Sequence, residues 1–270
     1  MNKTLSVKPD INDQRLIKEV KGLDESGNFF RQNVVMERPL TIFLNSQEVV
    51  TSMTVGDHAE WMAIGFLVNQ GMLSNNDNII SVDLDWDAEA IVVRTEKETN
   101  YEEKFKKKIR TSGCAVGTMF SDVMDLFDKV VLDKKTVFHK SWLIDLLKKI
   151  NTQPSLYLEA GAIHACVLCK ENEPIIYVED VGRHNAIDKI AGWLWYNRIN
   201  MDNLILYTTG RLTSEMVIKT VQMKIPILIS RSGFTAAGVD LAKKSNLTLI
   251  GRAKGKRFVA LSGQDRIIFD

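Results

Sequence analysis

The chemistry legible in this chain begins with a thiol. Cys114 lies in Thr111-Ser112-Gly113-Cys114-Ala115-Val116-Gly117-Thr118, a run of small residues with no bulk to cover a sulfur atom. Upstream stand Lys104, Lys106, Lys107, Lys108 and Arg110, a positive field that favours thiolate over thiol. An uncovered thiolate beside cations is a nucleophile or a sulfur carrier; the same composition also fits an unreactive loop cysteine. Cys166 and Cys169 form C-x-x-C, a spacing found in zinc and dithiol sites. They fall inside a strand pattern, however, where a step of three puts the two side chains on opposite faces. No second Cys/His pair at finger spacing accompanies them, so buried cysteines acting as small apolar residues explain them better.

A second set of residues reads as anion recognition. From Leu241 to Arg257 there are six cations and no acid, ending in Arg252-Ala253-Lys254-Gly255-Lys256-Arg257. A short cationic turn with a glycine between two strands can wrap a pyrophosphate, its lysines as point charges and its arginines as forks. A solubilising hairpin turn has the same composition. Two predicted strand exits, Thr208-Thr209-Gly210-Arg211 and Ser230-Arg231-Ser232-Gly233, join hydroxyls, a glycine and one arginine just before a helix start, which suits a phosphate. Taken alone, each is better explained as an ordinary strand-to-helix turn with a solvated arginine. Arg183 and His184 open another predicted helix, with Asp188 one turn along from the histidine and Asp180 as the expected N-cap. That pair fits a general base or a helix-start hydrogen bond, and structure or ligand shaping is favoured over proton transfer.

These residues need a scaffold, and the composition supplies one. The 270 residues carry 35 Lys+Arg against 34 Asp+Glu, a net charge of +1, with 45% hydrophobic residues. That balance excludes disorder and gives no global attraction to nucleic acid or membrane, so anion binding must come from local clusters. The first 30 residues are polar and read as a loosely attached lead-in without a secretory h-region; the apolar stretches are too short to span a bilayer, and a cytoplasmic protein is expected. Residues 37–55 read as a hairpin about Asn45-Ser46. Asp57-His58-Ala59-Glu60 reads as a capping box, opening a helix with Trp61, Ile64, Leu67 and Val68 on its buried face and Gly71 at its stop. A second strand pair follows at 79–96, and residues 121–150 read as two helical pieces. Beyond them, strands at 162–179 precede an alternation of strands and short helices that argues a largely parallel sheet. The expected fold class is α/β: a smaller α+β N-terminal domain, 30–135, carrying the cysteine loop at its end, and an α/β domain, 136–270.

Several segments occur together in one order: ERPLTIFLN, GFLVNQGML, the small-residue cysteine loop, GAIHACVL, EDVGRHNAIDKI, TTGRLTSEMV, IPILISRSGFTAAGVDLA and LTLIGRAKGKRF. Over about residues 35–262 they resemble the formate dehydrogenase accessory sulfurtransferase family, FdhD/NarQ. The resemblance implies that the protein takes sulfur from a cysteine desulfurase as a persulfide on a loop cysteine, at the position of Cys114. It would then pass the sulfur to the molybdenum bis(molybdopterin guanine dinucleotide) cofactor before that cofactor enters formate dehydrogenase. It implies that Arg252, Ala253, Lys254, Gly255, Lys256 and Arg257 hold the cofactor, with guanosine diphosphate as an analogue and Arg183, His184, Arg211 and Arg231 as further candidates. It also implies a cytidine-deaminase-like C-terminal domain and a homodimer. Deaminase chemistry does not follow, because the H-x-E and P-C-x-x-C zinc signature is missing: Ala165 and Cys166 follow His164, and no metal site is expected. One departure stands out. Many relatives carry C-x-x-C in the loop, whereas Gly117 occupies the second position here, so the sulfur must ride on Cys114 alone. The alternatives are a non-catalytic guanine-nucleotide or cofactor-binding chaperone whose Cys114 is incidental, and a factor that only docks on the dehydrogenase. The reactive thiol in a glycine-bearing loop favours sulfur transfer.

Overall fold

The computed structural model describes residues 5–74, 76–96, 108–109, 119–199 and 202–270, with 108–109 and 119–122 as backbone alone. The expected hairpin forms from β3 (Arg38–Leu44) and β4 (Gln47–Thr54), following an earlier hairpin of β1 (Ile17–Leu23) and β2 (Phe29–Val35). Then come α1 (Ala59–Asn69), the antiparallel pair β5 (Ile79–Asp85) and β6 (Ala90–Thr95), the short pair β7 (Lys108–Ile109) and β8 (Met119–Phe120), and α2 (Ser121–Lys129). β9 (Phe138–His139), α3 (Lys140–Asn151) and α4 (Leu156–Ala160) lead into the second half. That half runs β10 (His164–Lys170), β11 (Glu173–Asp180), α5 (Arg183–Tyr196), β12 (Leu204–Thr208), α6 (Ser214–Gln222), β13 (Ile227–Ser230), α7 (Ala236–Lys244), β14 (Thr248–Lys254), β15 (Arg257–Ser262) and β16 (Ile267–Ile268).

The second half builds a six-stranded sheet in the order β11-β10-β12-β13-β14-β15. Only β12, β13 and β14 run parallel to one another as neighbours; the sheet is mixed where a largely parallel one was expected. The cause is connection length. β10 to β11 and β14 to β15 turn through tight links, with Glu171 at φ 55° and Gly255 at φ 58°, and such links join only antiparallel strands. Side chains alternate between two cores. Cys166, Leu168, Val178, Leu206 and Leu228 face α5, α6 and α7, while Ala165, Val167, Cys169, Tyr177 and Tyr207 face α3. The two cysteines therefore point to opposite faces, as their spacing requires, and both are fully buried free thiols. Burial pushes the Cys166 thiol up to about 12 and raises that of Cys169 further.

The first half joins the same interior. Leu40, Ile42 and Leu44 of the β4-β3-β6-β5 sheet share one hydrophobic cluster with Leu206 and Leu249 of the larger sheet. Between the sheets, α1 crosses α5. The expected capping box does not form: α1 begins at Ala59 behind a left-handed His58 whose side chain makes no cap, because Asp57 is drawn to Lys189 instead. Nor is α1 buried along one stripe. Met62, Ala63, Ile64, Phe66 and Leu67 are all buried because the helix is packed on more than one side, while Trp61 and Val68 are only partly covered. At the crossing the two backbones touch. A Cβ on Gly65 would lie 1.8 Å from the Asp188 carbonyl oxygen, and one on Gly192 would lie 1.9 Å from that of Trp61. The lead-in is also more ordered than its polarity implied. Besides β1 and β2, Ser6 and Val7 hydrogen-bond along the edge of β11, where the Ser6 N–H donates to Ile175 and Val7 accepts from Tyr177.

Two consecutive carboxylates at the end of β11 fix the layers. Asp180 was expected to cap α5, but the N-cap is Gly182 and Asp180 is the last residue of the strand. Its carboxylate accepts from the Gly182 N–H (3.1 Å), Thr54 Oγ1 (2.6 Å) and Asn185 Nδ2 (2.8 Å), and pairs with Lys189 Nζ at 2.7 Å. Lys189 Nζ also donates to Asp57 (2.5 Å) and to the Glu179 carbonyl (2.8 Å). Across the sheet, the Glu179 carboxylate accepts from the backbone N–H groups of Leu156 (2.7 Å) and Tyr157 (3.2 Å) at the start of α4.

Two measurements test this frame. Alanine at Gly65 or Gly192 must push α1 off α5, so either variant should lose about 2–3 kcal/mol in denaturant unfolding; an unchanged midpoint would contradict the crossing. Burial pushes the Glu179 carboxyl up to about 7 against the N–H donors that favour its anion. Between pH 4.5 and about 7 the folded protein keeps a proton that the unfolded chain has released, so stability falls as pH rises through that window. Glu179→Gln should flatten this decline, and identical pH profiles for the two proteins would refute it.

Candidate functional site

β11 and β12 are each antiparallel to β10, so they run the same way, and β13 and β14 follow them. The carboxyl ends of all four strands therefore meet at one edge of the sheet, where open α/β sheets bind ligands. Arg183 and His184 follow β11, Arg211 follows β12, Arg231 follows β13, and Arg252–Arg257 close the turn from β14 to β15. Hydrogen bonds from backbone and side chain tie these exits together. Leu212 N–H donates to Gly233 (2.9 Å), Arg252 N–H donates to Ser232 (2.7 Å), and Ser230 Oγ donates to the Gly210 carbonyl (2.6 Å). Arg211, Arg231, Arg252, Lys254, Lys256 and Arg257 are exposed along this rim. Ala253 is 2% exposed and packs into the core, so it offers no side-chain contact to an anion beyond its methyl group.

Arg183 and His184 sit deeper, both buried at the start of α5. The acid beside His184 is not Asp188, as the one-turn spacing implied, but Glu215 of α6, whose carboxylate oxygen lies 3.0 Å from Nε2. Asp188 faces inward, where Lys219 Nζ (2.7 Å) and Asn69 Nδ2 (2.6 Å) hold it. The Glu215 contact favours imidazolium, but burial, with Lys219 and Arg183 nearby, outweighs it and drives His184 down to about 2. His184 is thus a neutral imidazole at neutral pH. His164, at the start of β10, is likewise lowered by burial and by Arg183 and Arg211.

Beside the rim, on the face that carries α3, lies a cavity of about 530 Å³. Its floor is Ala165, Tyr177, Tyr207 and Thr209 from the sheet. One wall is Tyr157 and Leu158 of α4, the helix held by Glu179; the other is Arg231, Lys254 and Gly255. The Arg231 guanidinium lies over the Tyr157 ring, 5.5 Å from its centroid. None of the three tyrosines was singled out from the sequence. The signal was present: Tyr177 and Tyr207 fall in the strand phase opposite to Cys166, a polar-tipped pair in an otherwise aliphatic face.

Cys114 and most of the basic run 104–110 lie outside the described residues. The strands on either side of the loop sequence, β7 and β8, pair with each other, Lys108 opposite Phe120 and Ile109 opposite Met119. Among the described residues no three His, Cys, Asp or Glu side chains form a metal-ligating group, and no helix is long and apolar enough to cross a membrane.

Known proteins resemble this chain in sequence and fold. The FdhD/NarQ family model matches residues 35–268. The sulfur carrier protein FdhD of Wolinella succinogenes is 28% identical over 259 residues, spanning 95% of this chain and 86% of its own length. That of Listeria innocua is 31% identical over 254 residues, 90% of this chain and 95% of its own. Among solved structures, a formate dehydrogenase accessory protein from Desulfotalea psychrophila superposes with a TM-score of 0.74 at 25% identity, covering 93% of this chain and 98% of that one. With its sequence matched from residue 35 to 268 and its fold shared with such an accessory protein, the chain belongs to the FdhD/NarQ family.

Proposed function

We propose that this protein is a sulfur carrier in the maturation of formate dehydrogenase, taking sulfur onto Cys114 and handing it to the molybdenum bis(molybdopterin guanine dinucleotide) cofactor. The observation that carries the reading is the cationic rim: four strand exits converge on one edge, three of them tied by backbone hydrogen bonds, presenting Arg211, Arg231, Arg252, Lys254, Lys256 and Arg257 to solvent. Such a rim matches a substrate with two pyrophosphate groups, which arginine grips as a fork and lysine as a point charge.

In the loading step, the Cys114 thiolate attacks the terminal sulfur of the persulfide on a cysteine desulfurase. The donor's S–S bond breaks, its cysteine leaves as thiolate, and Cys114 becomes the persulfide; no outside oxidant or reductant is needed. The basic residues before the loop favour the attacking thiolate. With Gly117 in place of a second loop cysteine, no disulfide within the loop can discharge the sulfur, so it leaves by transfer to the bound cofactor. His184 is neutral and buried beside Glu215, which suits it to shape the pocket rather than add charge to the rim. The likeness to cytidine deaminases, the homodimer and the cytoplasmic setting belong to this proposal as well.

The test is a mass measurement. Incubated with a cysteine desulfurase and L-cysteine, the protein should gain one sulfur on the Cys114 peptide, and Cys114→Ala should gain none. Sulfur on Cys166 or Cys169, or no gain at all, would overturn Cys114 as the carrier and leave a cofactor-binding chaperone.

A further inference from the structure

A larger groove, of about 1600 Å³, lies at the edge of the sheet opposite the cationic rim. Leu204, which opens β12, and Pro226, which precedes β13, border it, as do the last turns of α5 and α6. Its other wall is β5. The consecutive residues Ile79, Ile80, Ser81 and Val82 all line it, and since neighbours in a strand point to opposite faces, the groove runs along the edge of that strand. β5 is the outermost strand of the β4-β3-β6-β5 sheet and pairs with β6 alone. Among the described residues no strand lies against its other edge, which is seven residues long, contains no proline and carries Ile80 at 66% exposure. A free edge of this length accepts another strand.

The lining says what such a strand would carry. Trp61, Val68, Leu194 and Met223 give the groove apolar surface. Three polar atoms of its lining residues are buried without a hydrogen-bond partner, Trp195 Nε1 and both ends of the Gln222 amide. An amide with a spare donor and a spare acceptor matches one peptide group, and a turn of the Gln222 side chain would present it. The charge is one-sided: Glu60, Asp77, Glu96, Asp133 and Asp202 border the groove against Arg198 and Lys224. None of the five carboxylates forms an ion pair among the described residues, and burial lowers His58, which stays neutral at neutral pH. A second copy of the chain is a poor match. Two such acidic grooves set face to face repel, and the cationic rim of one chain seated in the groove of the next builds an open array, not a closed assembly. The volume also exceeds that of small-molecule sites, roughly 300–1,000 Å³.

We propose that this groove docks an extended segment of a partner protein, apolar and basic in alternation, which adds as a strand along β5. Backbone hydrogen bonds to the β5 edge supply affinity, the apolar side chains enter the groove, and the basic ones meet the carboxylates at its border. The proposal is independent of sulfur carriage and of the rim, which a segment bound at the opposite edge leaves open.

Fluorescence anisotropy of a labelled peptide of alternating lysine and valine, titrated with the full chain, tests the groove. The peptide should bind roughly tenfold or more tightly than its counterpart with glutamate for lysine. It should also bind roughly tenfold more tightly than a lysine peptide methylated on alternate backbone nitrogens, which keeps the charge but cannot add to a sheet. Glu60→Lys combined with Asp202→Lys, and separately Ile80→Lys, should each weaken it to a similar extent; all three positions are exposed, so folding is not endangered. Equal binding of the lysine and glutamate peptides, indifference to methylation, or an unchanged affinity in both groove variants would overturn the proposal. Sedimentation of the same proteins reads the remaining outcome: a dimer of the unaltered chain that Ile80→Lys splits into monomers would assign the groove to a second copy and overturn it as well.

Discussion

The ammonium of Lys189 is the contact on which the rest of the molecule depends. It is completely buried and is held by Asp57, Asp180 and the carbonyl of Glu179. Asp57 belongs to the link between β4 and α1, Asp180 to the end of β11, and Lys189 to α5, so one cation joins both halves of the chain. A buried charge survives only where such partners surround it, and removing one strands the others. Thr54 and Asn185 complete Asp180, leaving neither of its oxygens unpaired. Below this knot α1 and α5 can cross backbone to backbone, because Gly65 and Gly192 leave nothing between them.

The knot sits where the site must be rigid. Glu179 and Asp180 are neighbours in a strand, so they point to opposite faces. Asp180 fixes α5 and with it Arg183 and His184, while Glu179 fixes α4 and with it Tyr157. The cationic rim therefore rests on the strand ends with one anchored helix on each side of the sheet. Positive charge is presented by the exposed residues of the rim; shape is set by the buried ones. This division explains how a protein with a net charge of +1 can still present a strongly cationic local surface.

Much of this was legible in the sequence. The hairpin at Asn45, the start of α7 at Thr235, whose hydroxyl accepts from the Gly238 N–H, and the turn from β14 to β15 follow from local signals, namely turn residues, a capping hydroxyl and strand periodicity; α6 begins after Thr213 without a side-chain cap. The opposite facing of Cys166 and Cys169 follows from a period of two. What was misread depends on distant partners. Asp57 looked like a cap, and Asp188 like the partner of His184, because each is near in sequence; Lys189, 132 residues from Asp57, and Lys219, 31 residues from Asp188, take them instead. The all-round burial of α1 and the hairpin of β1 and β2 were hidden for the same reason, since their packing partners lie elsewhere in the chain. The tyrosine floor appears only once β10, β11 and β12 are in register.

The central claim is that sulfur loaded on Cys114 reaches the cofactor held on the cationic rim. The most direct measurement loads the protein with radiolabelled sulfur, adds the molybdenum bis(molybdopterin guanine dinucleotide) cofactor and apo-formate dehydrogenase, and follows label and formate oxidation together. Label should leave Cys114, appear with the cofactor in the dehydrogenase and rise in step with activity, and a Lys254→Glu, Arg257→Glu protein should keep its label. Activity that appears while the label stays on Cys114, or equal activity with Cys114→Ala, would contradict sulfur carriage.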